Sequence, residues 1–311
     1  MSLYVNTNVT SLNAQRNLNK ATNSLDTTYA RLSSGLRINS AKDDSAGLQI
    51  ADRMTSQING LNQGNRNAND GIAVAQTIEG AMDEITNMLQ RVRTLAVQSA
   101  NGTNTSDDRK SIQKEVTQLS AEITRIACET TFGGKTILNG NVANTRGNLL
   151  SAGVLKLHVG ANQNDTVSIK LTAGFSVAQM GTSDVSGMSA GHLTTYAANN
   201  TVAPDDVGAY SAYQVSKRSL AEQTISDIDK VLNYVDGKRA DLGALQNRLE
   251  STISNQSNVA TNQSDARARI RDTDYAEESA NLSSQSIIQQ AATSMLTQAN
   301  SRPQIALSLL G

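Results

Sequence analysis

The chain has 311 residues, 38% of them hydrophobic but only 3% aromatic, with no Trp and two Phe. Its core must therefore be assembled from Leu, Ile, Val, Met and Ala, which suits long helices packed side by side. Lys and Arg (27) nearly balance Asp and Glu (28), so no basic surplus marks the chain for nucleic acid or an anionic membrane.

Cys128 is the only cysteine, so no intramolecular disulfide can form. Pro204 and Pro303 are the only prolines, and long helices are allowed almost everywhere. The opening MSLYVNTNV has neither a basic n-region nor an apolar h-region, which is not the pattern of a cleavable secretory signal. A protein of this kind that leaves the cell is expected to use a route that spares the N-terminus. No apolar run approaches the roughly 20 residues of a membrane helix.

Val5, Leu12, Leu18, Leu25 and Leu32 form a thin stripe, with Val9 and Leu36 beside it, and predict a first helix from about Val5 to Leu32. Ser33-Ser34-Gly35 ends it, with Gly35 as the cap. Asp43 and Asp44 favour the next helix start, and a long helix follows over about 45–99. Its strongest stretch is Ile78, Met82, Ile85, Leu89, Val92 and Ala96, widened by Ala81, Met88 and Leu95, which predicts burial against more than one neighbour. Asn101-Gly102 closes it. Ser106, Asp107 and Asp108 open a third helix carrying Ile112, Val116, Leu119, Ile123 and Ile126.

The period then changes to alternation. Leu155, Leu157 and Val159, then Val167, Ile169 and Leu171, predict one β-hairpin over about 154–171. Residues 172–212 are rich in Gly, Ser, Thr and Ala without a sustained period and read as an exposed, irregular insertion. Helical spacing returns near Tyr213 and runs through Ala221, Ile225, Ile228, Leu232, Val235, Leu242 and Leu249, continuing to Arg267–Asp274. A last low-charge helix carries Tyr275, Leu282, Ile288, Ala292, Met295 and Ala299, with Pro303 as a kink or the start of a final turn.

Neither terminal stripe is wide enough to offset the cost of ordering its own helix. Both need partners on several sides. Folding the chain back with short connections lays residues 1–36 beside 275–311. The fold class is then mainly α: a coiled-coil-like terminal helix pair, a helical bundle, one β-hairpin and a small outer insertion.

Other motifs read plainly. Gly134-Lys135-Thr136 resembles the end of a phosphate loop, but Glu129 stands where the first glycine is required, so a turn before Ile137 and Leu138 is the expectation. His158 and His192 have no zinc-type partners, and His158 belongs on the polar side of a strand. Cys128 is expected to act as a small core hydrophobe. Arg267 to Glu278 is a charge run level with Arg31, Arg37, Lys42, Asp43 and Asp44 in the folded-back chain. It is read either as a solvated face or as pairing between domains or copies. No catalytic, cofactor or metal constellation is present, and the chain is not read as an enzyme.

VNTNVTSLNAQRNLNK (5–20), RLSSGLRINSAKDDSAGLQIADR (31–53), NRNANDGIAVAQTIEGAMDEITNMLQRVRTLAVQSANGTN (65–104) and SLLG (308–311) closely resemble bacterial flagellin. The resemblance covers about residues 1–140 and 213–311, with a middle much shorter than in large flagellins. It implies an inner domain of residues 1–44 and 272–311, a bundle domain of 45–171 and 213–271, and an outward insertion of 172–212. It implies a subunit that polymerises into the flagellar filament through a surface including Val5, Leu12, Leu18, Leu25, Leu32, Leu282, Ile288, Met295, Leu309 and Leu310.

The resemblance further implies export, unfolded, through the flagellar type III apparatus, and terminal helices that order on assembly. The implied partners are further copies, the cap and hook-junction proteins, and an export chaperone at the C-terminal segment. Gln90, Arg91, Leu95 and Glu115 match positions that the mammalian Toll-like receptor reads in related flagellins, and Leu309-Leu310 resemble the part read by a cytosolic innate sensor. Thr182, Ser183, Ser186, Ser189, Thr194 and Thr195 are candidates for O-glycosylation. The nearest alternative is a hook–filament junction protein. An enzyme on a helical scaffold and a coiled-coil adhesin are the rivals from other classes.

Overall fold

The first three helices begin where a short polar side chain serves free backbone N–H groups. The computed structural model describes residues 7–139, 148–150, 153–171, 174–182, 193–196 and 210–310. α1 (Val9–Ser34) starts after Asn8, whose side chain accepts from the Ser11 N–H, and stops at Gly35. Gly35 has φ 71°, and its N–H donates to the Arg31 carbonyl at 2.8 Å. The start is later than the stripe predicts because Asn8 takes the cap; Val5 lies outside the described residues.

α2 (Ser45–Ala100) opens on Asp44, which accepts from the amides of Ala46 and Gly47 at 3.0 and 2.9 Å. α3 (Ser106–Glu129) opens on a reciprocal cap: Thr105 accepts from the Asp108 N–H, and Asp108 accepts from the Thr105 N–H at 2.9 Å. The cap is thus Thr105, one residue before the Ser106 expected. The Thr105 hydroxyl and N–H hold the Asp108 carboxyl below its ordinary range. This contribution is present above the ordinary carboxylate range and fades as pH falls through the lowered value.

Short β elements follow. β1 (Thr131–Phe132) and β2 (Lys135–Thr136) are joined by Gly133 and Gly134, with φ 59° and 80°. That is the tight hairpin turn requiring two positive φ values, so Gly134 belongs to a turn and Lys135-Thr136 to the strand that leaves it. β3 (Val154–His158) pairs antiparallel with β4 (Thr166–Lys170), Leu155 opposite Ile169 and Leu157 opposite Val167. α4 (Val177–Thr182) is followed by β5 (Leu193–Tyr196), which pairs antiparallel with β6 (Tyr210–Tyr213). α5 (Arg218–Arg271) and α6 (Tyr275–Leu310) complete the chain. α6 continues through Pro303 and is not restarted there, since a proline forfeits one backbone N–H while the turns on either side persist.

The chain divides into two compact units, Met1–Asn59 with Val259–Gly311 and Gly60–Asn258. Both divisions fall inside α2 and α5, not at the connectors 35–44 and 272–274.

The core of the second unit is the stripe predicted for α2 (Ile78, Met82, Ile85, Leu89, Val92 and Ala96, all fully buried) facing α3 and α5. α3 supplies Val116, Ile123 and Ala127; α5 supplies Ala221, Ile228, Val231, Val235 and Leu242. Phe175, Val177, Met180 and Tyr213 are buried in the same core. The expected exposed insertion of 172–212 is therefore corrected at Phe175, Val177 and Met180. Three apolar residues spaced two and three apart are too few to show a period, yet Phe175 is one of only two phenylalanines available to fill the bundle. Tyr213 also sits in β6, and the helix expected near it begins at Arg218.

The β3–β4 hairpin covers a smaller cluster of Ala68, Val159, Val167 and Leu249. Its end is fastened to both long helices. The Val159 carbonyl accepts from Gln256 of α5, and the His158 carbonyl accepts from Asn67 of α2 at 2.8 Å. Gly64 of α2 lies against Val159 so closely that no side chain fits between them.

Candidate assembly surface of the terminal helices

α1 and α6 pack against each other over a narrow seam. α1 buries only Ala21, Leu25 and Thr28, and the described part of α6 buries only Glu278 and Ala299. Much of what joins them is polar. Asn8 Nδ2 donates to the Ala299 carbonyl at 2.7 Å, Ser11 Oγ to Asn300 Oδ1 at 2.6 Å, and Gln289 Nε2 reaches Thr22 Oγ1 at 3.5 Å. Arg31 stands 3.9 Å from Glu278. These partners place the helices antiparallel, as the folded-back chain predicts.

The connectors are tied by backbone. The Arg271 carbonyl accepts from the Arg37 N–H at 2.6 Å and the Ile38 N–H at 3.4 Å, and Thr273 donates to the Gly35 carbonyl at 3.0 Å. Leu36 and Asp272 form an antiparallel bridge. The charge run is used within this unit: Arg271 pairs with Asp52 at 3.8 Å and Arg269 with Asp265 at 3.1 Å.

The residues expected on the polymerisation surface separate into groups. Leu25 is buried in the seam; Leu18, Leu32 and Leu282 are half-buried. Leu12, Ile288 and Met295 remain 52%, 46% and 66% exposed. Leu309 and Leu310 lie in the last turn of α6. Ile287, at 66% exposure, belongs with the exposed set but is missed by a single stripe that takes only one of two adjacent isoleucines. Tyr29 and Val9 are exposed as well. Full burial of one such Leu, Ile or Met is worth about 1.5–3 kcal/mol, so the terminal pair leaves substantial driving force unused.

On the bundle, Arg91 donates to Glu115 through Nε and Nη2 at 2.9 and 2.7 Å, tying α2 to α3 across an exposed surface. Gln90 is exposed beside it. Leu95 is 3% exposed and belongs to the core, which corrects its expected place on a contact surface: it lies one turn from Val92 on the buried stripe. His158 is exposed at the end of β3. Cys128 is half-buried with Sγ 3.7 Å from Asn139 Oδ1, and burial pushes its thiol pKa up. His192, Ser183, Ser186 and Ser189 lie outside the described residues. Thr182 ends α4, and Thr194 and Thr195 lie in β5. No helix among the described residues is long and apolar enough to cross a membrane.

A family model described as the bacterial flagellin N-terminal helical region matches residues 5–143, and one described as the bacterial flagellin C-terminal helical region matches 225–310. The chain belongs to the bacterial flagellin family. It is 39% identical to Flagellin D of Vibrio cholerae serotype O1 and 38% identical to Flagellin B of Vibrio anguillarum, each match covering 100% of both chains. These alignments run over 377 positions against 311 residues here, so the relatives carry segments that this chain lacks. A solved structure named for a flagellar hook-associated protein of Vibrio parahaemolyticus matches with TM-score 0.54, covering 74% of this chain and 100% of that one. At 14% identity that likeness is one of fold alone. Sequence separates what fold does not: end-to-end identity to flagellins makes the chain a structural subunit of the flagellar filament and disfavours the junction protein.

Proposed function

We propose that copies of this chain join through the faces of α1 and α6 that the single subunit leaves uncovered. The observation that carries this reading is the exposure of Leu12, Ile287, Ile288 and Met295 on helices whose seam buries so little. Residues 1–44 and 272–311 would line the filament's inner wall, with 45–171 and 213–271 packed around them. Interfaces of this kind are heterologous, so growth is open and helical and does not close into a ring. The terminal helices order on assembly, because apolar burial by neighbours then offsets the entropy their own seam does not.

Family membership supports the remainder of the reading. The chain travels unfolded through the flagellar type III apparatus, is held at its C-terminal segment by an export chaperone, and adds beneath the cap beyond the hook-junction proteins. Its working place is outside the cell, and it does no catalysis. Exposed Gln90 and the Arg91–Glu115 pair form the patch that a Toll-like receptor would read on a free subunit. Arg91→Ala is expected to reduce receptor signalling, and unchanged potency would remove the assignment. O-glycosylation of the Ser and Thr residues named above rests on composition, and an intact mass equal to the sequence mass would end it.

Seeded polymerisation tests the central reading. Full-length monomer added to short filament fragments should give long tubes under negative stain. A chain lacking residues 1–36 and 275–311 should give none. A full chain that stays monomeric with ordered termini would overturn the reading and favour a junction role.

A further inference from the structure

Among the described residues, Met295 is the one methionine that stands exposed, at 66%. Met82 and Met180 are buried in the bundle core, and Met54 and Met88 are half-buried. The residues one turn away from Met295 along α6 are Ala291, Ala292, Gln298 and Ala299. Three of the four are alanines, too short to screen a thioether that reaches beyond them. Between Glu278 and Arg302 the sequence carries no charged side chain. The sulfur is therefore open to small solutes and lies on an apolar strip with Ile287 and Ile288.

We propose that Met295 is an oxidation site for peroxide-class two-electron oxidants, and that its oxidation in the free subunit weakens assembly. This rests on the reading that the exposed faces of α1 and α6 join copies. In the reaction a sulfur lone pair attacks one peroxide oxygen. The S–O bond forms as the O–O bond breaks, the transferred hydroxyl gives its proton to the departing hydroxide or alkoxide, which leaves as water or an alcohol, and sulfur is oxidised by two electrons. The product replaces an apolar, flexible tip with a strongly polar acceptor. In the monomer that acceptor is hydrated and costs nothing. Once a neighbouring copy covers it, it must be desolvated beside alanines that offer no donor. Subunits already in a filament have the sulfur covered and are protected, so the switch acts on subunits before addition. Methionine sulfoxide reductases reverse it.

The test uses full-length monomer, treated with hydrogen peroxide and mapped by peptide mass, then added to filament seeds. Met295 should gain one oxygen before Met54, Met82, Met88 and Met180. The critical concentration for growth should rise about tenfold, the change expected when burial is opposed by about 1.4 kcal/mol per subunit, and reductase treatment should restore it. Met295→Leu should show the same critical concentration with and without peroxide, whatever its own value, and Met295→Gln should show a raised one without oxidant. Equal growth of unoxidised and Met295-oxidised protein, or peroxide acting first on buried methionines, would overturn the proposal while leaving the assembly reading intact. Failure of unoxidised protein to extend seeds would remove the assembly reading and the proposal with it.

Discussion

Gly64→Ala is expected to destabilise the unit of residues 60–258 by about 1–3 kcal/mol, the range for forcing extra atoms into a packed site. A Cβ at this position would stand 2.7 Å from the Val159 carbonyl carbon and closer still to its oxygen. Those are backbone atoms, held in place because the same carbonyl accepts from Gln256 and the neighbouring His158 carbonyl from Asn67. Val159 cannot yield without breaking its buried bond from Gln256. Gly80→Ala is the matched control. It lies on the same helix, nothing stands within 4 Å of its Cβ position, and alanine there should stabilise by about 0.5–1 kcal/mol through backbone entropy. The two variants should move the urea midpoint in opposite directions. If both raise it, the hairpin is not clamped against α2 as described.

Leu89→Ala should cost more, about 2–5 kcal/mol. Leu89 is fully buried within the core of the second unit, on the α2 stripe that faces α3 and α5. The cavity it leaves cannot close easily, because its α2 neighbours Ile85 and Val92 are fully buried as well. Leu12→Ala provides the contrast. Leu12 is 52% exposed, so its removal should change monomer stability by less than about 0.5 kcal/mol yet weaken filament growth. Chemical denaturation of the monomer and seeded growth measure the two quantities separately. A Leu12 variant that loses as much monomer stability as the Leu89 variant would mean the terminal stripe serves the subunit and not its neighbours.

How much of this was legible in the sequence depends on length of signal. The α2 stripe from Ile78 to Ala96 and its counterpart on α5 repeat over many turns, and periodicity alone located that core. The β3–β4 hairpin followed from alternation. Phe175, Val177 and Met180 were missed because a short segment shows no period and its burial is decided by space left between elements far apart in sequence. The fit of Gly64 to Val159 is a meeting of two surfaces, and a glycine inside a helix does not announce what will approach it. Leu95 was misplaced because its surroundings read as both core and surface. On the terminal helices the stripe named the right residue types. A stripe has no record of which partner covers it, and only the structure separates Leu25, covered within the subunit, from Leu12 and Met295, left open. Ile287 shows the same limit from the other side.

The backbone bonds at the two connectors give the terminal pair a fixed point from which it can unzip. Fraying that begins at the free ends of α1 and α6 meets isolated polar ties and the few buried side chains of the seam until it reaches Leu36 and Asp272. There the Arg271 carbonyl holds two amides at once and Gly35 accepts a third. Amide exchange should therefore rise steeply on the chain-end side of this knot and stay slow beyond it, and a gradual profile across residues 30–45 would contradict that. If the chain is exported unfolded and assembles as proposed, its two ends are the last parts to settle in each addition, because the knot already joins them to each other while their outer faces still wait for a neighbour.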